Sequence, residues 1–143
     1  MKFSSIFDNS IQSPLEPDSM PSDAGEYWQE APYIFSRNGF HYLFLNHYTC
    51  CSNQSSYEIR VCRSDKGVKG PYFDQNGVNC KKGGGTLVKG RDHGSIGPGH
   101  PSIFSYFNAQ NEEVLVLNNH YYRNIPSTPD VAFVSFVEHH ILR

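Results

Sequence analysis

Glu30 stands in Trp28-Gln29-Glu30-Ala31-Pro32-Tyr33-Ile34-Phe35, close behind a tryptophan and ahead of an apolar run. A carboxyl beside aromatic rings loses solvation, which favours its neutral form and lets it donate a proton near neutral pH. Pro32 lacks a backbone donor, so Glu30 is expected at the start or edge of a strand. The same residues also read as a surface glutamate ahead of a strand, and the rest of the chain must discriminate. A second stretch, Ser95-Ile96-Gly97-Pro98-Gly99-His100-Pro101-Ser102-Ile103, sets two glycines and two prolines around His100. A stiff backbone of this kind holds one side chain at little entropic cost. A neutral imidazole there can bind a metal or polarise a substrate, and a histidine in a solvated turn is the plain alternative. His120, in Asn119-His120-Tyr121-Tyr122, fits an aromatic core strand as well as it fits a site.

The elements that must position these residues read as strands. Asn38-Gly39 is a hairpin turn signal, so residues 32–37 and 40–47 are expected to pair. Tyr57-Glu58-Ile59-Arg60-Val61-Cys62-Arg63 alternates, with Tyr57, Ile59 and Val61 on one face and Glu58, Arg60 and Cys62 on the other. Further strands are expected over 102–107, 112–122 and 131–137. Residues 8–26 are rich in Ser, Pro, Asp and Asn and read as loop. Residues 67–85 are turn-rich, and their triplet Gly83-Gly84-Gly85 lacks the Gly-Lys-Ser/Thr and the helix start of a phosphate cradle. Helical periodicity is absent. Short strands at near-regular spacing suggest an all-β sandwich, barrel or propeller.

Composition narrows the function classes. The 143 residues suffice for one domain with a core. The 12 basic and 14 acidic residues form neither a basic stripe for nucleic acid nor an acidic tail, and no apolar run approaches the roughly 18 residues of a membrane helix. The first residues lack the apolar core of a secretory signal. Cys50, Cys51, Cys62 and Cys80 allow three pairings. Pairing Cys50 with Cys51 closes a vicinal ring and leaves Cys62 with Cys80. A zinc site competes, without the Cys-x-x-Cys or paired-histidine spacing such sites show. Disulfides would imply an oxidising compartment.

Glu-Ala-Pro-Tyr-Ile (30–34), the aromatic strand after it, Cys-Cys (50–51), Tyr-Glu-Ile-Arg-Val-Cys-Arg-Ser (57–64), Gly-Pro-Tyr-Phe-Asp (70–74), Gly-Gly-Gly-Thr-Leu (83–87) and Ile-Gly-Pro-Gly-His (96–100) follow one another in an order that resembles glycoside hydrolase family 43. Within that family the run, over roughly residues 28–122, is most similar to the endo-1,5-α-L-arabinanases. The resemblance implies a five-bladed β-propeller that hydrolyses arabinan with inversion, of which this chain holds about two blades of four-stranded antiparallel sheet. It divides the chain into an N-terminal strand remnant and polar loop (1–27) and C-terminal blades (28–143).

The same resemblance implies roles for individual residues. Glu30 matches the general acid. Arg63, Trp28, Cys50 and Cys51 fall where substrate or the acid is positioned. His100 matches a histidine that helps hold a calcium ion through a mostly water shell, although Pro101 replaces the residue usual after it. The family's two catalytic aspartates lie upstream of the matched region, and Asp8, Asp18 and Asp23 sit in no matching motif. The chain is therefore expected to carry the acid without its base, as part of a larger extracellular enzyme completed by an N-terminal half. The expected ligand is arabinan or a related pectin side-chain polysaccharide. A non-catalytic carbohydrate-binding remnant of the same fold is the alternative, with Trp28, Tyr33, Tyr42 and Tyr48 stacking on sugars.

Overall fold

The computed structural model describes residues 29–51, 54–92, 94–123 and 134–142, the last stretch as backbone alone. Expectations that fall on residues 1–28, among them the loop at 8–26 and the place of Trp28, lie outside the described residues.

β1 (Gln29–Arg37) and β2 (Phe40–His47) form the expected hairpin. Asn38 and Gly39 both take positive φ, 52° and 81°, the conformation of a two-residue turn whose twist matches its strands. β3 (Glu58–Ser64) and β4 (Thr86–Lys89) complete an antiparallel sheet in the order β1-β2-β3-β4. β4 was not expected: it has four residues and follows the glycine triplet directly, so it offers no period to read. β5 (Ile96–Phe107), β6 (Glu113–Arg123) and β7 (Val134–Leu142) form a second antiparallel sheet in the order β5-β6-β7. Thus the architecture is all-β, one sheet of four strands and one of three described strands, with one 3-10 turn, at Cys80–Lys82, among the described residues.

Two boundaries differ most from expectation. β5 begins at Ile96, not at 102, because the Gly-Pro-Gly-His segment pairs with β6 through two register shifts instead of forming a turn. β7 runs on to Leu142, past the expected end at 137, so His139 and His140 pair with β6.

The sheets meet face to face. Tyr42, Phe44, Ile59 and Val61 of the first bury against Ile103 and Leu117 of the second. The Tyr33 hydroxyl donates to the Ile103 carbonyl at 2.7 Å, and Arg37 pairs with Glu113 at 2.9 Å across the seam. On its other face, the first sheet packs Leu43, Leu45 and Cys62 against Tyr72 and Cys80 of a strap spanning 65–85. β2 is therefore buried from Tyr42 to His47 without alternation. Asp74 shapes the strap by accepting from the amides of Asn76, Val78 and Gly85.

Disulfides join Cys50 to Cys51 and Cys62 to Cys80. The second pins the strap to β3. With all four sulfurs so engaged no thiolate is left for zinc, which overturns that competing reading.

Candidate active site

Glu30 is the second residue of β1, an edge strand, and opposes Asn46 of β2. Directly opposed residues in an antiparallel pair point to the same side, so Glu30 shares the inter-sheet face with Asn46. A bulge at Ala31-Pro32 follows, after which Tyr33 opposes Phe44 on that same face. Without the bulge, residues three apart would point to opposite sides. Ala31 takes φ 51°, a left-handed conformation that costs a residue with a Cβ on the order of 1–3 kcal/mol and clusters at functional sites.

Asn46 is fully buried and ties the two sheets together. Its amide donates to the Glu58 carbonyl at 3.2 Å and the Pro98 carbonyl at 2.9 Å. Its oxygen accepts from the His100 backbone at 2.8 Å. One side chain thus joins β2 to β3 and to the irregular start of β5, where Gly97 and His100 have φ 58° and 49°. Gly99 lies between Asn46 and Tyr57: a methyl there would approach Tyr57 Cδ1 to 2.7 Å, so no larger residue fits. Ser55, from the loop that carries Cys50 and Cys51, packs on Gly97 in the same way and donates to the Thr49 carbonyl at 2.8 Å.

The His100 ring is exposed and stands 5.0 Å from the His120 ring, which in turn meets Tyr122 edge-on. Burial, then the neighbouring His100, lowers the pKa of His120 and keeps it neutral. Glu30, Asn46, Tyr57, His100 and His120 therefore gather at one end of the seam. Asn46 and Tyr57 were not among the expected site residues. The signal available for Asn46 was a lone amide inside an aromatic strand, where a buried polar group needs partners.

Several expected site features take a different place. Glu30 is exposed on the edge strand of the described sheet, and Trp28, from which its desolvation was expected, lies outside the described residues. Arg63 does not reach Glu30. It opposes Tyr42, four positions along β2 from Asn46, which is about 13 Å at strand rise. It is buried there with its guanidinium 4.2 Å from the centre of the Phe40 ring. Cys50 and Cys51 lie in the loop after β2, at the Glu30 end of the sheet.

Among the described residues no three His, Cys, Asp or Glu side chains converge as metal ligands. Calcium takes six to eight oxygens, whereas His100 has another imidazole as its ring neighbour. These residues do not fit a protein-built calcium cage. The remaining described carboxylates are engaged elsewhere: Glu58 with Arg60, Asp65 with Lys66, Asp92 with Lys89, Glu113 with Arg37, Glu112 with Asn108, and Asp74 with the strap amides.

No protein-family model matches the chain. A probable arabinan endo-1,5-α-L-arabinosidase A of Emericella nidulans is 37% identical over 89 residues, 57% of this chain and 27% of the relative. An extracellular exo-α-(1→5)-L-arabinofuranosidase of Cellvibrio japonicus is 37% identical over 86 residues, 59% of this chain and 24% of the relative. The solved structure of a family 43 endo-arabinanase from Bacillus licheniformis superposes with a TM-score of 0.68 at 29% identity, over 89% of this chain and 39% of that one. The chain thus spans well under half the length of the relatives it matches. With two packed antiparallel sheets and this likeness across both, the chain is all-β and matches part of the length of arabinanases of glycoside hydrolase family 43, which are five-bladed β-propellers.

Proposed function

We propose that the chain contributes the proton-donating side of an arabinan-hydrolysing site, with Glu30 as the general acid. The observation that carries this reading is the Asn46 clamp, which sets the Glu30 end of β1 beside the His100 end of β5. In an inverting glycosidase one carboxyl protonates the leaving oxygen while a second, about 6.5–9.5 Å away, activates water on the opposite face of the sugar. Every other described carboxylate has a partner of its own, which supports a base supplied from outside the described residues. Residues 28–143 are then C-terminal blades of a larger extracellular enzyme, and the relatives' substrates point to arabinan. The disulfides suit an oxidising compartment. In this reading His100 meets a calcium ion through water and not as part of a cage. Hydrolysis of debranched arabinan tests the proposal. Turnover, by the chain alone or complemented by an N-terminal half, should fall by at least a hundredfold in Glu30→Gln. Arabinan binding that survives with no turnover under either condition would favour the carbohydrate-binding alternative.

A further inference from the structure

Tyr57 precedes β3 and is 1% exposed, on the face it shares with Ile59 and Val61. Its ring is fixed between the sheets by contact with Gly99, and the Asn46 amide approaches the same point. The backbone of Tyr57 is tied to Ser55 through an N–H···Oγ bond of 3.2 Å. The ring therefore has no freedom to turn away. Yet its hydroxyl is buried without an aligned hydrogen-bond partner among the described residues. A buried phenol left without a partner is destabilising, so its presence needs an explanation.

The carboxylate that acts on this hydroxyl is Glu30. Burial raises the pKa of Tyr57 most, and the nearby Glu30 carboxylate and then Tyr122 raise it further. The phenol is therefore a permanent O–H donor. Glu30 is exposed and can rotate to meet it, whereas the tyrosine is held. The other titratable groups at this end, His100, His120 and Tyr122, sit on the second sheet.

We propose that Tyr57 is a positioning residue that holds the Glu30 carboxyl toward the seam through a hydrogen bond from its phenol. This rests on the reading of Glu30 as the acid. It also gives a joint reason for Tyr57 and Gly99, since the tyrosine reaches the carboxyl only where β5 presents no Cβ. The proton that Glu30 transfers is carried on the oxygen not facing Tyr57, and the phenol keeps its own proton.

Carbon-13 NMR of the full chain, labelled at glutamate carboxyls and at tyrosine Cζ, tests this. The Glu30 signal is assigned by its loss in Glu30→Gln. Tyr57→Phe should shift the Glu30 carboxyl resonance, whereas Tyr33→Phe should not. Tyr33 is the control because its hydroxyl faces the same seam but is bonded to the Ile103 carbonyl. Reciprocally, Glu30→Gln should shift the Tyr57 Cζ resonance. An unmoved Glu30 signal in a folded Tyr57→Phe chain overturns the proposal. If that variant does not fold, an unmoved Tyr57 Cζ in Glu30→Gln overturns it instead. Retained arabinan turnover in Glu30→Gln would defeat the acid reading alone and leave the carboxyl–phenol contact standing.

Discussion

The first sheet is covered on both faces, by the second sheet on one side and by the 65–85 strap on the other, whereas β5 of the second sheet buries Ile103 inward and leaves Phe104 and Tyr106 outward, 46% and 45% exposed. Both sheets are built from similar apolar residues. The difference lies in how far they are covered: a strap pinned by Cys62–Cys80 closes over one, whereas the other keeps Phe104 and Tyr106 nearly half exposed. Successive residues of β2 show the same division on a smaller scale. Asn46 faces the seam and bonds to β5, while His47 faces the strap side and meets Gln29 at 3.1 Å. Gln29 also donates to the Cys80 carbonyl at 2.8 Å. Burial of β2 thus serves two ends, joining the sheets through one face and anchoring the strap through the other.

The comparison can be broken by substitution. Phe44→Ala, at a fully buried site of the seam, should cost about 3–5 kcal/mol, read as a lowered denaturant midpoint. A chain that tolerates it would show that the seam is not the core.

The strap side is probed by acid. Burial, with the charge of Arg60 second, lowers the His47 pKa from 6.5 to about 4. The folded imidazole stays neutral while the unfolded chain takes up a proton first. The contribution is complete above pH 6.5 and is lost as pH falls towards 4, roughly 3 kcal/mol in all. His47→Gln should flatten stability against pH in that window, and an unchanged slope would refute it.

Asn46→Ala strips partners from the Pro98 carbonyl and the His100 amide. The expected loss is about 1–3 kcal/mol, with faster hydrogen exchange at His100 than at Ile59. The smallest effect is expected on the open face. Tyr106→Ser should change stability by about 1 kcal/mol at most while raising solubility. A cost near that of Phe44→Ala would mean that this face is covered after all.

Much of the first sheet was legible in the sequence. Asn38-Gly39 announced the hairpin because both residues adopt positive φ at low cost. The alternation of residues 57–63 announced which side chains enter the seam, since the period of a strand is a local property. The motif order from Glu30 to His100 pointed to the family. β4 and the start of β5 were less legible, one too short to show a period and the other masked by glycine and proline that serve bulges instead of turns.

What the sequence determined by itself is therefore the strand-forming pattern, the turn between β1 and β2, and the residues on offer for chemistry. The tertiary structure decided which of them meet. The bulge at Ala31-Pro32 turns Glu30 to the seam, the register of β3 carries Arg63 away from it, and Asn46 bonds to a strand more than fifty positions later. Pattern along a chain reports local periodicity, whereas register and the closing of one sheet on another arise from contacts between residues far apart in sequence, which no local pattern encodes.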